Sequence, residues 1–103
     1  LGLAQTSQTI TADASSQVAN VTTAVTEVNA TAATGAISLA DGADGQVKTI
    51  INISTSGTNN IVVTPTNLRG GATITLNAEG ETITLLFKNA KWNVIAGNGY
   101  VVA

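Results

Sequence analysis

The side chains that could do chemistry in this chain are few. Its acidic groups are Asp13, Glu27, Asp41, Asp44, Glu79 and Glu81, its basic groups are Lys48, Arg69, Lys88 and Lys91, and it has neither histidine nor cysteine. The commonest general base, the commonest metal ligand and the best nucleophile are therefore missing. Without cysteine there is also no disulfide framework and no thiolate metal site. Nearly all the carboxylates fall in predicted turns, where water keeps their protonation ordinary, so a buried acid and base pair of the glycosidase type has no setting. The turn Asp41-Gly42-Ala43-Asp44-Gly45 offers two carboxylates three residues apart, which raises calcium. Known calcium loops gather six or more oxygens from a longer acidic or amide series, and the backbone turn itself accounts for Asp and Gly here. The glycine-rich places have no following helix to bind phosphate. The chain is expected to be no enzyme and to hold no metal or cofactor.

What remains is the framework that would position a surface. A chain of 103 residues forms one domain, and an apolar fraction of 44% is that of an ordinary globular protein. The net charge of −2 and the absence of a basic cluster give no reason to expect nucleic acid. No apolar run approaches the roughly 20 residues that cross a bilayer as a helix, so no membrane is expected.

Polar and apolar residues alternate at residues 73–76 and 82–87, the period of half-buried strands. Ile74 and Leu76 then share one face, as do Ile83, Leu85 and Phe87, and the return strand turns Trp92, Val94 and Ala96 inward. Phe87, Trp92 and Tyr100 are the only aromatic residues, so the core is expected where they meet. Residues 78–81 supply the first reversal and residues 88–91 the second. Earlier in the chain, residues 17–30 mix helical spacing with β-branched Val and Thr, which favours strand. A strand over residues 46–54 places Val47, Thr49, Ile51 and Ile53 on one side and Lys48, Ile50, Asn52 and Ser54 on the other; Ile51 is the expected core residue. Pro65 should end a strand or lie on an edge.

The unit Ile37-Ser38-Leu39, Asp44-Gly45, Thr49-Ile50-Ile51 parallels Ile74-Thr75-Leu76, Glu79-Gly80, Thr84-Leu85-Leu86 at an offset of 35 to 37. Read as a repeated hairpin, it predicts an all-β protein, a compact antiparallel β-sandwich or flattened barrel. Residues 17–103 form that single β domain. Residues 1–16 read as an extended N-terminal arm that becomes ordered on a neighbouring subunit. Leu1, Leu3, Thr9 and Ile10 would make that contact, and Arg69 either pairs with a carboxylate of a partner chain or is a solubilising charge. Strand edges with so few lysines to guard them point to association with other copies or a larger assembly.

The segments LADGADGQVKTI at residues 39–50, IVVTPTNLRGGATITLNAEGETITLLFKNAKWNVI at residues 61–95 and the ending NGYVVA resemble a module of structural proteins of tailed phages, marine and cyanobacterial ones especially. The likeness spans residues 34–103 and includes an F-x-N-x-K-W hairpin; Ala90 departs from it where glycine turns more easily. The resemblance implies an all-β module, commonly a homotrimer, located in the virion. Its first expected role is a capsid decoration or cement protein on the outer surface of the phage head, bound to the major capsid protein and stabilising the shell. Others are a tail fibre or spike module, with Tyr100, Trp92 and the Asn-rich turns holding a host glycan, and a bacterial adhesin or carbohydrate-binding domain.

Overall fold

A computed structural model describes residues 5–13, 15–56 and 58–103. The described residues form β1 (Ser7–Ala12), β2 (Gln17–Ala19), β3 (Val25–Ala30), β4 (Thr34–Leu39), β5 (Val47–Asn52), β6 (Asn60–Pro65), β7 (Ile74–Leu76), β8 (Thr82–Lys88), β9 (Lys91–Asn98) and β10 (Val101–Val102). The first sheet runs β1-β3-β5-β8-β9 and the second β10-β7-β6-β4-β2. They face each other across one core in a plate of 36 × 35 × 22 Å. The all-β sandwich expected from the alternation is what the chain forms.

The sense of pairing differs from the antiparallel expectation over the first six strands. β1, β3 and β5 lie parallel, with Ser7 opposite Val25 and Val25 opposite Thr49. β2, β4 and β6 are parallel too, with Gln17 opposite Ile37 and Ile37 opposite Val63. Parallel neighbours cannot be joined by a tight turn, so the chain returns through the opposite sheet each time and stacks three coils, β1 with β2, β3 with β4, and β5 with β6. The sheets approach closely at Gly35, where a β-carbon would come 2.9 Å from Ala12 Cβ. From β7 onward the pairing becomes antiparallel, as expected for that part of the chain.

Two expected hairpins are therefore something else. The turn at residues 78–81 carries the chain from β7 in the second sheet to β8 in the first, and residues 41–45 make the same crossing from β4 to β5. Only β8 and β9 form the expected hairpin. Asn89 and Ala90 at its tip have φ of 55° and 64°, the pair of positive values that a two-residue type I′ turn requires.

The described part of the expected arm is a strand. β1 pairs along its length with β3 and contributes Ile10 and Ala12 to the core. Leu1 and Leu3 lie outside the described residues. Ile74, Leu76, Ile83, Leu85, Phe87 and Trp92 are buried as expected, and Val94 is half-buried against them. Ile51 is the exception. The inward side of β5 is the Lys48, Ile50 and Asn52 side, which leaves Ile51 half-buried on the outer face. The parallel register fixes this, because Thr26 and Val28, inward on β3, stand opposite Ile50 and Asn52.

Trp92 lies opposite Phe87, ring centroids 5.2 Å apart and planes at 73°, an edge-to-face pair. Its indole N–H donates to Ala40 O at 2.9 Å, joining the β8–β9 hairpin to the end of β4. Trp92→Ala should cost on the order of 3 to 5 kcal/mol through the cavity left behind, measured by denaturant unfolding; an unchanged midpoint would contradict the packing. Ala90→Gly should add about 1 kcal/mol in the same measurement, because glycine bears no left-handed penalty. A loss of stability would contradict the turn assignment.

Candidate functional site

The side chains first considered for chemistry are dispersed into local structure. Asp13 accepts from Ser15 Oγ at 2.6 Å and Ser15 N at 2.8 Å, bonds that hold its carboxyl below the usual range. Asp44 takes a hydrogen bond from Lys88 Nζ at 2.7 Å, which lowers its pKa in the same direction. That pair is more than half exposed and contributes little to stability. Asp41 instead receives Asn67 Nδ2 at 2.9 and 3.1 Å. The two carboxylates of the 41–45 turn thus serve different segments. Among the described residues, no three His, Cys, Asp or Glu converge as metal ligands and no cavity opens.

Of the residues expected to touch a partner, Thr9 is exposed on β1, but Ile10 is 7% exposed and faces the core, so it cannot serve as an outer contact. Arg69 is exposed and engaged within the chain. Its Nε donates to Asn93 Oδ1 at 2.7 Å and a terminal nitrogen to Asn89 O at 3.4 Å, bracing the 66–71 loop against the β8–β9 turn. Trp92 is fully buried and cannot stack on a glycan, and Tyr100 is half-buried against the core.

The polar groups that β5 carries inward have a structural role that side-chain types alone do not reveal. Lys48 is wholly buried, and its Nζ donates to Thr23 O at 3.0 Å, Thr23 Oγ1 at 3.1 Å and Asn20 Oδ1 at 3.5 Å. Thr23 Oγ1 and N both bond Asn20 Oδ1, so the ammonium closes the loop between β2 and β3 on itself. Further along, Asn52 Nδ2 donates to Leu76 O at 3.0 Å and Asn59 O at 3.3 Å, while its Oδ1 accepts from Ser54 N at 2.9 Å. Ser54 Oγ accepts from Ala30 N at 2.9 Å. These groups tie adjacent coils and the two sheets together where backbone ladders cannot reach. The signal was the parity of the strand, since Lys48 and Asn52 are in phase with Ile50.

The outer faces are broad and nearly free of charge. On the first sheet Val25, Thr49 and Thr84 form one row and Thr9, Glu27, Ile51 and Thr82 the next. On the second, Ala36, Val62, Thr75 and Val101 line up, beside Val18, Ser38 and Thr64. Val18, Val47, Ile95 and Val101 are each about half exposed or more. Such faces present methyl and hydroxyl groups outward.

Compared with known protein families and with curated protein sequences, the chain matches none.

Burial without a carboxylate partner pushes Lys48 down to about 8 from the ordinary 10.5. Below about pH 8 the folded chain carries that charge at a cost. Between about 8 and 10.5 the folded state gives up the proton while the unfolded state keeps it, so stability rises with pH through this window. The gain should be on the order of 3 kcal/mol at most. Urea unfolding across this window, compared with Lys48→Met, checks it: the variant should lose the rise, and parallel pH profiles would contradict the assignment.

Proposed function

We propose that this chain is a virion structural protein that decorates the outside of a phage head and binds the major capsid protein, stabilising the shell by adhesion. The observation that carries this reading is the pair of nearly uncharged Thr and Val faces on a thin plate with an internally braced core. A plate of this kind gives wide contact at small thickness. Its inner strands, held on both sides by ladders and by Asn52, Ser54 and Lys48 between them, change little on binding. The likeness of residues 34–103 to phage structural modules supports the same reading. A glycan-binding role loses its best ring with Trp92 in the core, which leaves Tyr100 and the Asn-rich turns to support it.

Purified protein mixed with expanded phage capsids that lack it should bind saturably at the three-fold positions of the lattice, visible by electron microscopy, and should raise the capsids' thermal midpoint. Binding to host cells or glycans alone, with bare capsids after mixing, would overturn this reading.

A further inference from the structure

The N-terminal end of the sandwich presents two edge strands, β1 from the first sheet and β2 from the second. They are finished differently. At β2, the Gln8 side-chain amide stands where the peptide of a neighbouring strand would be: Oε1 accepts from Asn20 N at 3.0 Å and Nε2 donates to Val18 O at 3.2 Å. Thr26 Oγ1 fixes that amide by donating to Oε1 at 2.9 Å. A side chain that takes up an edge's hydrogen bonds blunts it against further pairing.

β1 has no such guard among the described residues. Thr6 O accepts from Ala24 N and Val25 N, and Ala12 O from Thr31 N, so these carbonyls point toward β3. Successive residues of a strand direct their backbone groups to alternate sides. Residues 8 and 10 therefore also face β3, and the N–H and C=O groups of Ser7, Thr9 and Thr11 face away from the sheet. The strand reads SQTITA, with no charge, proline or glycine. The far edge of the same sheet is protected. β9 carries a bulge between its pairings with Thr84 and Leu85, and Trp92 there exchanges backbone bonds with Asn67 and Arg69.

We infer that the free edge of β1 pairs with β1 of a second copy of this chain, antiparallel about a two-fold axis at Thr9, so that two first sheets become one continuous sheet. The occupant is a copy because the outward residues are symmetric about Thr9. Antiparallel self-pairing sets Thr9 opposite Thr9, and Ser7 opposite Thr11 of the second copy, which satisfies every outward N–H and C=O of the three residues. An uncharged strand also meets its own copy without repulsion. The contact is isologous and closes at two chains. It goes beyond capsid decoration, and it differs from the trimer that the phage resemblance implies.

Sedimentation equilibrium of the full chain, without capsids, tests it; the expected mass is that of two chains. Thr9→Pro removes an outward N–H without touching a bond to β3, so the variant should sediment as one chain with an unchanged circular dichroism spectrum. Because the chain has no cysteine, Thr9→Cys gives a single thiol. A short bismaleimide should join it into a two-chain product, whereas Thr64→Cys, exposed on β6, should give none. Should Thr9→Pro fail to fold, the cross-linking decides. A wild-type mass of one or three chains, a folded Thr9→Pro variant that stays paired, or Thr9→Cys chains that do not join would overturn the inference. Capsid binding by a chain that proves monomeric would leave the decoration reading standing while removing the pair.

Discussion

Two strands that lie side by side and run the same way must be joined by a path that travels back along the whole length of the strand. Here the opposite sheet provides that path. Each return is itself a strand, β2 between β1 and β3 and β4 between β3 and β5, so one winding builds both layers at once. The inward residues of every coil must then stack on those of the next. Ile10, Val28 and Asn52 do so from the first sheet and Ala19, Leu39 and Pro65 from the second, and all are buried. β7 to β10 end the winding with antiparallel pairing.

A coil also has corners, and corners leave backbone groups without ladder partners inside the protein. The polar residues of β5 and its extension meet that need. Asn52 reaches the carbonyls of Leu76 and Asn59, Ser54 takes the amide of Ala30, and Lys48 holds the 20–24 loop through Thr23 and Asn20. An unsatisfied buried group costs about 1 to 3 kcal/mol, the cost of the backbone groups that Leu or Val in place of Asn52 and Ser54 would leave unpaired. Among the described residues no buried side-chain polar atom lacks a partner. Lys48 has the least favourable arrangement, an ammonium held by neutral oxygens, and burial depresses its pKa.

Much of the fold was legible because alternation survives any topology. β7, β8 and β9 fall where the alternation of residues 73–96 places them, and the aromatic pair is where the largest apolar rings had to go. The sense of pairing was not legible. A turn such as residues 78–81 looks the same whether it folds a hairpin or arches from one sheet to the other, and the repeat at an offset of 35 to 37 is an arch repeated, each copy passing from the second sheet to the first. The face of β5 was misjudged for a related reason. Ile51 belongs to a set with Val47 and Ile53, more apolar than the set with Lys48, Asn52 and Ser54, and only the stacking against Thr26 and Val28 reveals which set goes in. For the candidate surface, the shortage of charge was readable at once. The edge left open on β1 depends on backbone direction, which side-chain types do not record.

The adhesive reading and the paired edge both rest on a plate wound from parallel coils. Scalar couplings across hydrogen bonds, read by NMR on labelled protein, test that winding most directly. The structure predicts a coupling from Thr49 N–H to the Ala24 carbonyl and another from Ile53 N–H to the Val28 carbonyl, so that both positions advance together along the two strands. Couplings in which one position advances as the other retreats would show β3 and β5 to be antiparallel and would contradict it.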